Sequence, residues 1–173
     1  AVSSRPGVRP GKKYMVRRKK ALTLSDKIDS LMMKVTKPVR YVGGEFGSIM
    51  KDPAKVEVRY AFLFPDTYEV GMSHLGMKIL YYTINDRDDA WCERVFSPWV
   101  DMEEKMRELD IPLFSIESRT PVKQFDLLGI TLQYEMSYSN ILCALDLAGI
   151  PLRRENRTDD DPFVICGGPC AFN

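Results

Sequence analysis

The chain has 173 residues, of which 45% are hydrophobic and 28% charged, and its formal net charge is +1. That length suits one domain with a buried core, and the composition is that of a globular protein. The longest apolar runs, near residues 61–65 and 163–166, are too short to cross a bilayer, and no apolar segment follows the basic N-terminus as in a signal peptide. The cysteines fit no secreted disulfide framework, so we expect a cytoplasmic location. They are Cys92, Cys143, Cys166 and Cys170.

The first 20 residues differ from the rest in charge. They carry eight Lys or Arg and no acid, whereas residues 21–173 hold 17 basic and 24 acidic side chains. Such a tail is able to touch nucleic acid or a membrane surface, but its composition cannot bury a core and is more typical of a disordered leader. We therefore predict a basic disordered leader over residues 1–20, and we expect no membrane partner.

Residues 21–52 are predicted to lead into the domain as a helix and a glycine-rich loop. Ser25 is the expected N-cap, Ile28, Leu31, Met32 and Val35 have helical spacing, and Pro38 ends the pattern. The glycines at 43, 44 and 47 neither follow a strand nor open a helix, which argues against a phosphate-binding loop.

The body, residues 53–173, alternates between strand and helix patterns. Strands are predicted at 56–64, 94–96, 127–132 and 163–166, and helices at about 73–85, 99–110 and 139–148. This order predicts an α/β fold, a Rossmann-like parallel sheet with strand 56–64 between strands 94–96 and 127–132. The sequence stops after the fourth strand, so we expect a flavodoxin-like unit that is truncated before its fifth. Ligands are then expected at loops 65–71, 97–99, 133–139 and 167–170, which follow the strands.

Few residues suggest a catalytic or metal-binding role. His74 is the only histidine, and its place at a helix start favours a capping or surface role. Cys166 and Cys170 begin the Cys-x₃-Cys-x₂-Cys pattern that holds a four-iron cluster, but Asn173 stands at the third position. We therefore predict no metal site and no catalytic residue in this chain.

Four stretches resemble the N-terminal region of B12-binding-domain-containing radical SAM proteins. They read RYVG at 40–43, FPDTYEVGMSHLG at 64–76, RVFSPWVDM at 94–102 and CGGPCAFN at 166–173. The resemblance implies a downstream radical SAM barrel in the same chain, which would bind a four-iron cluster and S-adenosylmethionine and act on an unknown substrate. None of that barrel's motifs is present, so the resemblance implies that this part is inactive alone.

The resemblance also implies a cofactor site. Cobalamin-binding domains of the methionine synthase type carry Asp-x-His-x-x-Gly after the first strand; here Asp66 and Gly71 match, and Tyr68 replaces the histidine. Gly167 and Gly168 fall where that domain type places glycines near the nucleotide tail, and Thr131 lies on the strand end between the two segments. Two hypotheses follow: cobalamin held without a protein ligand to cobalt, or a docking module that has lost cobalamin. A nucleotide- or flavin-binding domain is a weaker third, because no Gly-x-Gly-x-x-Gly follows the first strand.

Overall fold

The computed structural model describes residues 22–171, so the predicted leader lies outside the described residues. Helix α1 spans Leu24–Met32, and a short helix α2 spans Val39–Val42. The N-cap of α1 is Thr23 rather than the predicted Ser25. Thr23 and Asp26 form a capping box, in which each side chain accepts a hydrogen bond from the other's backbone N–H. Ile28 and Leu31 on α1 are fully buried in the same core as the sheet.

The predicted parallel sheet is confirmed. It contains β1 (Val58–Phe64), β2 (Ala90–Phe96), β3 (Leu127–Thr131) and β4 (Phe163–Gly167), all parallel, in the order β2-β1-β3-β4. The second strand is longer than the predicted 94–96. Charged residues at Glu93 and Arg94 interrupted its apolar pattern, yet every residue of β2 is buried.

Helices cover the two faces of the sheet unequally. Helices α5 (Val100–Glu108) and α6 (Tyr138–Leu147), together with α1, pack on one face, whereas α3 (Tyr68–Ser73) and α4 (Leu75–Asn85) pack on the other. No helix among residues 22–171 is long and apolar enough to span a membrane.

Two details of the first crossover correct the sequence prediction. Residues 68–71 were expected in a loop, but they form α3, so Tyr68 lies at the start of a helix. The inner face of α4 was expected at Leu75, Ile79 and Tyr82, but these side chains are exposed. Met77 and Tyr81 are buried instead, against Phe62 and Phe64 of β1 in the second core cluster. The helix has apolar residues on two sides, so periodicity alone did not identify the inner one.

Buried charges anchor the loop that covers the edge of β2. The Ile116 N–H donates to the Arg94 carbonyl (2.9 Å), and the fully buried Glu93 carboxylate accepts from Ser115 Oγ (2.7 Å) and the Ser118 N–H (3.0 Å). Arg94 Nε donates to Glu117 Oε1 at 2.6 Å, and the Glu117 side chain is fully buried. The Arg94 N–H also donates to Glu117 Oε2 at 2.7 Å. The loop thus satisfies part of an edge that would otherwise expose unpaired backbone groups.

The buried Glu117 should make the stability of the protein depend on pH. Burial raises the pKa of Glu117 from 4.5 to about 7, although Arg94 acts in the opposite direction. Below about pH 4.5 the Glu117 carboxyl is protonated in both the folded and the unfolded protein. Between about pH 4.5 and pH 7 it loses its proton in the unfolded chain but keeps it in the folded protein, so the free energy of unfolding falls as pH rises. The shift is equivalent to at most about 3 kcal/mol.

Urea unfolding of the native protein and of Glu117→Gln at about pH 5 and pH 8 measures this contribution. We expect the native protein to lose more stability than the variant over that interval. Equal losses would show that Glu117 ionises normally in the folded protein.

Candidate functional site

Hydrogen bonds tie together the loops at the carboxyl ends of the four strands. The Ser97 N–H, after β2, donates to the Asp66 carbonyl (3.0 Å), and Asn140 Nδ2, on α6, donates to the Pro65 carbonyl (2.9 Å). After β3 and β4, the Cys170 N–H donates to the Leu132 carbonyl (3.1 Å). The edge at which parallel sheets bind ligands is therefore preformed in this fold.

A groove of about 260 Å³ opens between α4 and the ends of β3 and β4. Thr131, Gly167 and Gly168, three of the predicted site residues, all line it. Gln133 also lines it and donates from Nε2 to Thr131 Oγ1, and burial raises the pKa of Tyr60 on its wall to about 12. The groove thus combines apolar walls with neutral hydrogen-bonding groups.

The two glycines at the end of β4 have different roles. Gly168 has a φ of +109°, and a Cβ there would lie 2.5 Å from the Leu132 carbonyl oxygen, so the backbone itself requires glycine. A Cβ on Gly167 would meet nothing within 4 Å. The backbone at position 167 therefore does not require glycine, and the absence of a side chain there leaves space in the groove.

His74 borders the same groove from the helix side. Its Nδ1 accepts the N–H of Met77 at 3.2 Å, so it caps α4, which confirms the structural role expected from the sequence. Because Nδ1 accepts this bond, the hydrogen of the imidazole ring is on Nε2.

Asp66 follows the central strand β1, outside the lining of the groove. Its Oδ1 accepts the Thr67 N–H at 2.7 Å, and its Oδ2 accepts the hydroxyl of Tyr134, which follows β3. This bond to Asp66 raises the pKa of the Tyr134 phenol, which therefore stays protonated at neutral pH. The sequence predicted a site at the loop that carries Tyr134 but did not single out this residue, because its contact with Asp66 joins positions 68 residues apart.

Tyr68 and Gly71 lie away from the groove. The Tyr68 ring packs edge-on against Phe96, with ring centroids 5.5 Å apart, and a Cβ on Gly71 would lie 2.3 Å from the same Phe96 ring. Burial, followed by the charge of Glu45, raises the pKa of Tyr68. Of the six predicted residues, the structure thus brings three together in the groove, places Asp66 nearby and assigns Tyr68 and Gly71 to packing around Phe96.

Apolar side chains project from the loops and helix starts that follow the strands. Met136 is 83% exposed, and five other large apolar residues at this end of the sheet are also exposed. The set consists of Val70, Trp99, Val100, Tyr134, Met136 and Tyr138. Exposed apolar residues also occur elsewhere on the described residues, but these six surround the edge at which parallel sheets bind ligands, where they are able to contribute to a binding surface. No group of three or more His, Cys, Asp or Glu side chains within residues 22–171 is arranged to hold a metal ion.

Comparisons with known proteins identify a family for this chain. A family model described as radical SAM proteins, N-terminal, matches residues 76–173, more than half of the chain. An uncharacterized protein of Methanocaldococcus jannaschii is 26% identical over 112 residues, which are 65% of this chain and 19% of that relative. The chain thus matches about a fifth of the relative's length. No solved structure matches the chain significantly.

The two glycines at the end of β4 should respond differently to the same substitution. Gly168→Ala forces a positive φ and a backbone collision, and we expect it to lower the free energy of unfolding by about 1–3 kcal/mol. Gly167→Ala should change it by about 1 kcal/mol or less, because the new methyl group meets open space. Urea denaturation of both variants decides; a larger loss at Gly167 would contradict the assignment of roles.

Proposed function

This chain belongs to the family of N-terminal regions of radical SAM proteins, and we propose that it holds cobalamin at the carboxyl edge of its sheet. In this proposal the domain presents the cofactor to a radical SAM domain in the same polypeptide. The four-iron cluster and S-adenosylmethionine belong to that other domain. The observation that carries the proposal is the groove lined by Thr131, Gly167 and Gly168, which adjoins an apolar edge.

The residues present suit the two parts of cobalamin. A nucleotide tail would enter the groove, where Gly167 leaves space and where Thr131 and Gln133 offer neutral polar groups. The corrin is broad and largely apolar on its faces, which matches exposed side chains such as Met136 and Trp99. When bound, cobalamin supplies a carrier for a methyl group.

The protein's own side chains would orient the cofactor and exclude water. The hydrogen bond from Tyr134 to Asp66 holds the loop after β3 against the loop after β1. Met136 on the loop after β3 and Val70 on α3 would then shield the covered face from solvent. Neither loop carries a histidine, and His74, the only one in the chain, uses Nδ1 to cap α4.

A docking module without cobalamin is the second candidate, because the same apolar edge suits a protein surface. Cobalamin retention separates the two. The full-length protein is incubated with hydroxocobalamin and desalted, and its visible spectrum is recorded. We expect retained cobalamin; complete loss on desalting would favour the docking module.

The groove should be necessary for retention. Gly167→Leu fills the space that the nucleotide tail would take, and we expect at least about tenfold weaker retention. Thr83→Leu is the matched control, because it adds the same side chain at an exposed position of α4 outside the groove. Equal retention by the two variants would mean that the tail binds elsewhere.

Cobalt should carry no protein nitrogen. Electron paramagnetic resonance of the Co(II) form should show no superhyperfine splitting from an axial protein nitrogen, and the spectrum should be the same in His74→Ala. A nitrogen splitting that disappears in His74→Ala would overturn this expectation. It would make His74 the ligand and leave the cobalamin proposal itself intact.

A further inference from the structure

A second pocket lies on the other flank of α4, away from the groove at β3 and β4. Its volume is about 260 Å³. Met72 of α3, Lys78, Tyr81 and Tyr82 of α4, and Arg94 of β2 all contribute to its lining. The Arg94 guanidinium lies over the Tyr81 ring, with its central carbon 4.5 Å from the ring centroid. The pocket thus combines aromatic and thioether walls with two cationic side chains.

Arg94 has a donor nitrogen without an oxygen partner, although its side chain is only 8% exposed. Its Nε donates to Glu117 Oε1 (2.6 Å), and its Nη2 donates to Ser48 Oγ (2.8 Å) and lies 3.5 Å from Glu45 Oε2. Among residues 22–171, the partner of Nη1 is the Met72 sulfur at 3.3 Å. A thioether is a weak acceptor, and Nη1 carries two N–H groups. Buried donors normally have full partners, so Nη1 is available to a ligand.

The glycine-rich loop forms a fixed rim beside this pocket. The Tyr81 hydroxyl accepts the Ile49 N–H at 2.8 Å, and the Tyr82 hydroxyl donates to the Gly47 carbonyl at 3.3 Å. Gly47 has a φ of +79°, and a Cβ there would lie 2.6 Å from the Tyr82 hydroxyl. Phe46, which precedes it and lines the pocket, is fully exposed. The loop therefore holds an aromatic ring where it is able to cover the apolar part of a bound molecule.

Charge in the pocket suits a ligand with one negative charge. The positive charges of Arg94 and Lys78 are opposed by Glu45 and Glu117. Burial raises the pKa of Glu117 to about 7, so near neutral pH a fraction of the Glu117 carboxyls is protonated and uncharged. Positive charge then exceeds negative charge, and one carboxylate would restore the balance. A phosphate dianion would exceed it and would be repelled by Glu45.

We propose that this pocket binds a small monocarboxylate with an apolar, preferably aromatic, body. The carboxylate would accept a charge-assisted hydrogen bond from Arg94 Nη1, and Lys78 would attract it from an exposed position of α4. The body would lie against Tyr82 and Phe46. The volume is at the small end for ligand pockets, which favours a molecule built around a single ring. This site is separate from the proposed cobalamin site and does not depend on it.

Matched acids and amides test the class of ligand. Benzoate, phenylacetate and hydrocinnamate are titrated into the protein near neutral pH, each beside its uncharged amide, and binding is followed by ligand-observed nuclear magnetic resonance. We expect at least one acid to bind at least about tenfold more tightly than its amide, because only the acid forms the charge-assisted bond. Absence of binding by all the acids, or equal binding by acids and amides, would overturn the proposal.

Substitutions at Met72 test the donor without removing Arg94 from the core. Met72→Gln supplies an amide oxygen that competes for Nη1, and we expect it to weaken binding of the best acid at least about tenfold. Met72→Leu is the matched control, because it removes the sulfur without adding an acceptor and should bind as tightly as the native protein. Circular dichroism establishes that both variants are folded. Unchanged binding by Met72→Gln would show that the acid does not use Nη1.

A second pair of variants tests the rim. Lys78→Gln should weaken binding by about threefold, the effect expected of an exposed charge. Lys55→Gln removes the same charge at an exposed position outside the pocket and should leave binding unchanged. Equal effects of the two variants would mean that the acid responds to overall charge rather than to this pocket, and would also overturn the proposal.

Discussion

Every strand of a parallel sheet needs cover on both faces, and this requirement organises the whole domain. The central strand β1 meets it: Ala61 and Leu63 face one core cluster, and Phe62 and Phe64 face the other. Packing on the faces of the sheet decreases towards β4, where Val164 on one face is partly buried and the other residues of the strand are exposed. The groove arises from this gradient, because α4 covers β1 and β2 and leaves the same face of β3 and β4 open. The space available for a ligand is thus a result of how the crossovers are distributed.

The other edge of the sheet is closed by a different means. A loop rather than a strand covers β2, and it is anchored by Glu93 and Glu117 through bonds to Ser115, Ser118 and Arg94. Buried carboxylates of this kind are costly unless each is paired, and both are. Charged residues on β2 and the loop they anchor therefore end the sheet on this side.

Sequence patterns predicted the strand order and most helices, because β-branched runs and helical spacing are local signals. They failed where the deciding contact was distant in sequence. The charged Glu93 argued against a strand before residue 94, because its partner Ser115 lies on a loop more than 20 residues further along the chain. The apolar residues on two sides of α4 gave no basis for choosing the buried one. Only the position of the helix over Phe62 makes Met77 and Tyr81 the inner residues.

The candidate site shows the same limit. Spacing relative to a known motif predicted Tyr68 as a site residue; in the structure the turn after β1 is helical and the Tyr68 ring packs edge-on against Phe96. Asp66 instead bonds to a phenol from another loop, Tyr134, which no local pattern connects to it. A motif specifies where the backbone leaves the strand, whereas the side chains that meet at the edge depend on how neighbouring crossovers pack.

The chemistry of the edge favours a broad, weakly charged ligand over a phosphate. Phosphate sites use free N–H groups at helix starts or glycine-rich loops directly after a strand. Here the Thr67 N–H is already bonded to Asp66, and the Met77 N–H near the start of α4 is bonded to His74. Asp66 also contributes negative charge at the centre of the edge, which opposes a bound anion. With these donors occupied and apolar side chains projecting around them, the proposed ligand would bind at this edge mainly through burial of apolar surface and through shape.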